Sequence, residues 1–260
     1  MPFETIQLAR EARIATITFN RPEKRNALSF QMLAEILAAL DEIEQSDAQV
    51  LIVTGGGKAF SAGMDLDELR SLVGKSSAEH LEDSRKMMHL FRRLYQFPRP
   101  TIAAVNGAAI AGGTGLATMC DFTLAVPQAS FGYTEVRVGF VPAIVSSILV
   151  WQVGQKIARE LLISGRIFDA AEAHSLGLVG RVVSPENLMA EARALAERLL
   201  ENSPSSMRAT KKLLNGFLTE FLDGQMALAL AENAAIRETA DFREGVTAFL
   251  EKRKPQWSGR

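Results

Sequence analysis

Three short, almost wholly apolar runs, each cut off by residues that cannot extend a strand, constrain this chain more than any other feature. Residues 50–54 (VLIVT) stop at the glycines 55–57, residues 102–105 (IAAV) at Asn106 and Gly107, and residues 122–126 (FTLAV) at Pro127. Runs of that length and composition read as strands buried on both faces. Between them lie helical patterns, the clearest capped by Ser29, with Leu33, Ile36, Leu37, Leu40 and Ile43 on one stripe. Strands separated by helices imply an α/β fold with mainly parallel pairing. A further strand is expected over residues 12–20, ended by Arg21 and Pro22.

The last quarter changes character. Ser184-Pro185 opens a helix with Leu188, Ala192, Leu195 and Leu199 on one face, and Ser203-Pro204 opens another through Phe221. A third helix is expected over residues 225–239, and Asp241-x-x-Glu244 reads as a capping box for a last one. No strand pattern follows Val183. The predicted organisation is a strand-containing core over residues 1–183 and a helical region over residues 184–260, which completes the core or packs on a neighbouring subunit.

Composition removes several function classes. A chain of 260 residues buries roughly 70–75% of its unfolded surface, so it needs no metal or disulfide staple. Its single cysteine, Cys120, rules out an intrachain disulfide framework. With 29 Lys+Arg against 30 Asp+Glu it carries no basic footprint for nucleic acid. The uncharged stretches 101–120 and 138–155 are broken by Gly, Pro and Asn and read as buried core rather than membrane spans. The N-terminal residues show no cationic segment followed by an apolar one, so a soluble, cytoplasmic protein is expected.

The common catalytic signatures are missing. There is no P-loop, no G-x-S-x-G elbow and no G-x-G-x-x-G after a strand, and His80, His89 and His174 show no metal-ligand spacing. No metal site is expected. Two glycine-rich segments share a design instead. In residues 55–69 (GGGKAFSAGMDLDEL), Asp65-x-x-Glu68 would start a helix and leave the Met64 N–H at its N-terminus. In residues 106–121 (NGAAIAGGTGLATMCD), Gly112 would stand at another helix start. Two such donors converging on one oxygen make an oxyanion hole; taken singly, each is only a glycine turn before a capped helix. Glu135, in FGYTEVRVGFV, sits among apolar residues, where burial would raise its pKa toward that of a general acid/base. Arg137 would oppose that rise if the segment is a strand, and a solvated surface glutamate is the plainer alternative. Tyr133 reads as a packing residue or a proton relay.

These segments together resemble the crotonase, or enoyl-CoA hydratase/isomerase, family. The matching stretches are NRPEKRNALS (20–29), AFSAGMDLDEL (59–69), VNGAAIAGGTGLATMCD (105–121), the Glu135 segment, SGRIFDAAEAHSLGLV (164–179) and DFREGVTAFLEKRK (241–254). The resemblance implies a spiral of repeated ββα units with a C-terminal helical region that builds trimers or dimers of trimers. It implies an enzyme of fatty acid metabolism acting on acyl-CoA thioesters, with coenzyme A as part of the substrate and no prosthetic group. The Met64 and Gly112 N–H groups would polarise the thioester and Glu135 would move the proton. Arg25, Ala27, Leu28, Ala62, Asp65 and Leu66 would lie along the CoA, while Phe249 and Lys252 would reach CoA bound to a neighbouring subunit.

Two departures from the family pattern stand out. Hydratases of the family carry a second glutamate where this chain has Gly115, whereas isomerases that move a double bond between C3 and C2 manage with one. Hydration of 2-enoyl-CoA and isomerisation of 3-enoyl-CoA are therefore both expected possibilities, alongside thioester hydrolysis, decarboxylation, dehalogenation or plain acyl-CoA binding. After Pro142, Ala143-Ile144-Val145-Ser146 replaces a glycine-rich run and should reshape the acyl pocket. Residues 71–94, with Met87, Met88 and Leu90, are expected to line its acyl end, and Glu79, Glu82 and Asp83 are candidate substitute acids.

Overall fold

The computed structural model describes residues 3–217 and 219–260, those at 219–222 by backbone alone. Its two sheets explain the three apolar runs. The larger one orders β1 (Ile6–Glu11), β2 (Ile14–Phe19), β3 (Val50–Gly55), β5 (Thr101–Val105), β7 (Phe122–Ala125) and β10 (Arg181–Val182). From β2 onward every pairing is parallel. The smaller sheet orders β4 (Ala59–Ser61), β6 (Ala108–Ile110), β8 (Ser130–Gly132) and β9 (Phe168–Asp169). Each apolar run thus feeds a three-residue strand of the second sheet: β3 leads to β4, β5 to β6, and β7 to β8. Helices follow, α2 (Leu66–Leu72) and α3 (Ser77–Tyr95) after β4, and α4 (Gly112–Thr118) after β6. This is the expected spiral of ββα units.

The hairpin of β1 and β2 corrects one sequence expectation. Ala12 and Arg13 are not strand but the two-residue turn, with φ of 49° and 66°, as tight antiparallel hairpins require. β1 escaped notice because only Ile6 of its residues is buried. The helix capped by Ser29 forms as expected, α1 (Phe30–Glu44), with the Ser29 hydroxyl accepting from the Met32 N–H.

Both predicted capping boxes are absent. Asp65 does cap α2, but through the Asp67 N–H, and Glu68 reaches instead to the Phe30 N–H at 3.0 Å. The last helix, α10 (Ala240–Leu250), is capped by Thr239, while Asp241 accepts from the Ser258 and Gly259 N–H groups. The box that does form is Ser76 with Glu79, at the start of α3.

Beyond β10, α7 (Leu188–Leu200) lays Leu188, Ala192 and Ala196 into the main core. α8 (Pro204–Gly216) ends earlier than the expected Phe221, and α9 (Thr219–Ala235) runs on into a 3-10 turn at Ile236–Glu238. The stretch 101–120 resolves into β5, β6 and α4, and α5 (Ala143–Ser164) takes up most of 138–155. Among the described residues no helix is long and apolar enough to cross a membrane.

Candidate active site

The two glycine-rich segments meet. Gly63 has φ +86°, and a Cβ on it would fall 2.9 Å from the Ile110 carbonyl oxygen and 3.7 Å from the Gly112 nitrogen. Only glycine permits both that conformation and that approach. The Met64 N–H is freed differently from the way the helix-start pattern suggests. Leu28 N–H donates to the Gly63 carbonyl at 2.7 Å and the Leu28 carbonyl accepts from Asp65 N–H at 2.9 Å, so Leu28 and Met64 form an isolated parallel bridge. In such a bridge the central residue's own N–H points to the opposite side. Gly112 follows Ala111, which holds an unusual φ of 50°, and opens α4. Among the described residues neither the Met64 nor the Gly112 N–H has an acceptor in the chain. The Thr114 hydroxyl fastens this end of α4 to β6 and β8, through the Ala109 and Gly132 carbonyls.

Both residues line a cavity of about 380 Å³ whose wall also carries Glu135. Glu135 begins a 3-10 turn, Glu135–Val138, rather than a strand. At about 120° per residue that turn sends Arg137 to a different side from Glu135, and Arg137 is exposed. The expected opposition from Arg137 is therefore absent. Although Glu135 keeps some exposure through the cavity mouth, its Oε2 is fully covered and has no hydrogen-bond partner. Burial pushes the carboxyl up to about 7, only partly offset by its own backbone N–H.

The other expected residues divide. Leu28 and Ala62 line the cavity. Ala27 is buried and its carbonyl accepts from Arg21. Arg25 is exposed, with a left-handed φ of 51°, and its carbonyl accepts the Ala62 N–H. Leu66 is half exposed at the start of α2. Asp65 is a brace: it is buried, 2.6 Å from Arg21 and 3.4 Å from Lys24. Burial would raise its pKa, but the Asp67 N–H and Arg21 outweigh that and hold it below the ordinary carboxylate range. Phe249 lines the cavity of its own chain, because α10 folds back over α2 and the Glu135 turn. Lys252 is exposed just beyond α10 and is not part of the wall.

Tyr133 is fully buried against Thr118, 2.8 Å between hydroxyl oxygens, and packs rather than relays. Of the substitute acids, Glu79 serves its capping box, Glu82 pairs with Arg85, and Asp83 pairs with Lys75 and Lys86. None of the three lines the cavity. Met87 does, whereas Leu90 lies in the main core with Met88 packed against it. Pro142, Ala143, Ile144 and Val145 line the cavity.

Phe91, inside the segment 71–94 expected at the acyl end, lines the cavity, while Asn233 and Arg237 went unseen in the sequence. Asn233 and Arg237 stand four apart, a spacing that a solvated helix face shares. The ring of Phe91 fills the space beside Gly115, so that a Cβ there would lie 2.3 Å from its Cε1. Among the described residues no cluster of His, Cys, Asp and Glu could hold a metal, and burial drives the Cys120 thiol up to about 12, away from reactivity.

A sequence model of the family described as enoyl-CoA hydratase/isomerase matches residues 9–260. A putative enoyl-CoA hydratase of Thermus thermophilus is 46% identical over 248 residues, covering 95% of this chain and 98% of that protein. A crotonyl-CoA hydratase of Syntrophomonas wolfei is 37% identical over 257 residues, 98% of each chain. Among solved structures, an enoyl-CoA hydratase/isomerase from Xanthobacter autotrophicus Py2 superimposes with a TM-score of 0.89 at 35% identity, over 96% of this chain and 97% of that one.

Proposed function

Because the chain belongs to the enoyl-CoA hydratase/isomerase family, we propose that it adds water to the double bond of a 2-enoyl-CoA thioester, with Glu135 as the single proton carrier. The observation that carries this reading is the covered, unpartnered Glu135 Oε2 on the same cavity wall as two unbonded backbone donors. With a pKa of about 7, Glu135 is populated as both base and acid at neutral pH. It takes a proton from water as the water oxygen bonds to C3. The C2=C3 electrons move into the thioester, and its oxygen carries the charge between the Met64 and Gly112 N–H groups. The protonated Glu135 then delivers its proton to C2 as the carbonyl re-forms. Each donor to such an oxyanion is worth roughly 2.7–4 kcal/mol in the transition state.

The names of the crotonyl-CoA hydratase and of a short-chain-enoyl-CoA hydratase from Clostridium acetobutylicum, 34% identical, favour hydration and a short acyl chain. Gly115 and the Phe91 ring beside it favour a second reading, isomerisation. There Glu135 would remove a proton from C2 of a 3-enoyl-CoA and return it to C4, a task for one carboxylate. The same oxyanion site would also serve thioester hydrolysis, decarboxylation or dehalogenation.

The CoA itself belongs to the substrate and would run past Arg25, Ala27, Leu28, Ala62, Asp65 and Leu66, with Phe249 and Lys252 reaching CoA bound to a neighbouring subunit. Residues 1–183 would form the catalytic spiral. Residues 184–260 would complete it and join copies into a trimer or a dimer of trimers. The exposed Leu213, Leu214 and Phe217 at the end of α8 support that association. A cytoplasmic place in fatty acid metabolism fits the near-neutral charge and the lone buried cysteine.

The deciding experiment incubates the protein and its Glu135→Gln variant with a short 2-enoyl-CoA and with a 3-enoyl-CoA, and follows products by mass spectrometry. Hydration adds the mass of one water to the first substrate, and the variant should abolish it. A shifted double bond without added mass, seen only with the second substrate, would replace hydration by isomerisation.

A further inference from the structure

We propose that the cavity accepts acyl groups ending in a carboxylate, bound by the guanidinium of Arg237; this rests on the acyl-CoA reading above and deepens it. Arg237 comes from the 3-10 turn after α9 and is only 3% exposed, yet it stands on the cavity wall beside Asn233, which is 4% exposed. Its partners leave it incompletely satisfied. Nη2 donates to the Asn233 Oδ1 at 2.8 Å, and Nη1 reaches the His80 carbonyl only at 3.4 Å. Nε is buried with no partner. The guanidinium carbon lies 5.0 Å from the centroid of the Phe140 ring. Among the described residues no carboxylate lies within ion-pair distance of it. The acidic group that does influence it, Asp83, is already engaged by Lys75 and Lys86.

A guanidinium buried without a counter-ion is unfavourable, and shedding its proton is no escape at neutral pH. Burial lowers its pKa only to about 10, so it stays charged. The cavity wall is largely apolar, with Leu69, Met87, Phe91, Ile144 and Val145 among its residues. The charged residues on the wall are Glu135, Arg137 and Arg237, of which Arg137 is exposed to solvent and Arg237 is buried. Asn233 Oδ1 accepts from both the Ser84 hydroxyl and Arg237, which sets the plane of the guanidinium. An acyl carboxylate would supply the missing charge and take up donors that the chain leaves idle, a charge-assisted pairing for which arginine is suited. A plain alkyl chain would leave the cation uncompensated and dehydrated.

Binding of saturated thioesters, which have no double bond to hydrate or shift, tests this apart from those turnovers. Succinyl-, glutaryl- and adipyl-CoA are titrated calorimetrically against butyryl-, pentanoyl- and hexanoyl-CoA, with wild-type protein and with the Arg237→Gln and Arg237→Lys variants. We expect at least one carboxylated member to bind roughly tenfold or more tightly than its alkyl counterpart. Arg237→Gln should remove that preference, and Arg237→Lys should keep part of it. If Arg237→Gln does not fold, the wild-type preference and the lysine variant still decide. Tight binding of both series without preference, or a preference that survives the loss of Arg237, overturns the subsite alone. Failure of both series to bind overturns the acyl-CoA reading with it.

Discussion

The Phe91 ring stands where a side chain on Gly115 would begin. Its Cε1 and Cζ lie 2.3 and 2.9 Å from the position of a Cβ there, and Phe91 is itself buried in the main core. The absence of a second carboxylate is therefore built into the packing from both sides of the contact. Gly115→Glu alone should lower stability by about 1–3 kcal/mol through overpacking, without faster hydration. The double variant Gly115→Glu, Phe91→Ala should recover part of that stability and hydrate 2-enoyl-CoA faster than Gly115→Glu. Thermal melts and initial hydration rates on the two variants provide the comparison.

Glu135 predicts a linked pair of pH effects. Its pKa is raised from about 4.5 to about 7 in the folded protein, so between those values the native state holds more of the proton than the unfolded chain does. Stability contributed by this carboxyl is thus greatest at low pH and declines as pH rises through 7. Glu135→Gln should be more stable than wild type above pH 7, by on the order of 2 kcal/mol. The same group should make kcat/KM rise through about pH 7, and its loss should cost about 10²–10⁴ in rate. Denaturant unfolding at pH 5 and pH 8, with rate profiles over that range, reads both effects.

Gly63 controls two donors at once. In Gly63→Ala the new Cβ would press on the Ile110 carbonyl oxygen and, at 3.1 Å, on the Ala111 Cβ, in a conformation that L residues resist. The expected result is a loss of about 1–3 kcal/mol in stability from backbone strain. A fall in kcat should accompany it, while CoA ester binding weakens less, because donors aimed at a developing charge act mainly in the transition state.

Partly exposed Arg21 and buried Asp65 form a pair that holds the loop before α2 against the Pro22–Lys24 turn. Arg21→Met should destabilise by about 3 kcal/mol, at the lower end for a buried pair because Lys24 remains near Asp65. Asp65 is held below its ordinary pKa of 3.8, so its contribution is present above that value and is lost as pH falls through the folded pKa. The gap between wild type and Arg21→Met should narrow in acid, as urea titrations at pH 7 and pH 3.5 would record. Adding Asp65→Asn to Arg21→Met should restore part of the loss.

Much of this molecule was legible because local chemistry and final position agree. The runs that became β3, β5 and β7 are apolar enough to be buried on both faces and end at residues that break strands, so their type and bounds follow from composition. The Ser29 cap and its stripe are as local. Met64, Gly112 and Glu135 stood out by pattern and by resemblance, and all three line one cavity. The capping boxes failed for an equally physical reason. Glu68 and Asp241 found better partners in the Phe30 N–H and in the Ser258 and Gly259 N–H groups, and local spacing carries no information about those competitors.

Neighbouring residues alone encode the alternation of buried strands and helices, the two glycine-rich turns and the apolar setting of Glu135. Tertiary structure alone decided that the Met64 N–H is freed by a strand-like bridge to Leu28, that Phe91 fills the space beside Gly115, and that Arg237 reaches the cavity from a distant helix end. The reason is the range of the forces involved. Strand and helix signals arise from side chains a few residues apart, whereas the direction of an N–H, the volume beside a glycine and the burial of a cation depend on segments that meet only when the chain has folded.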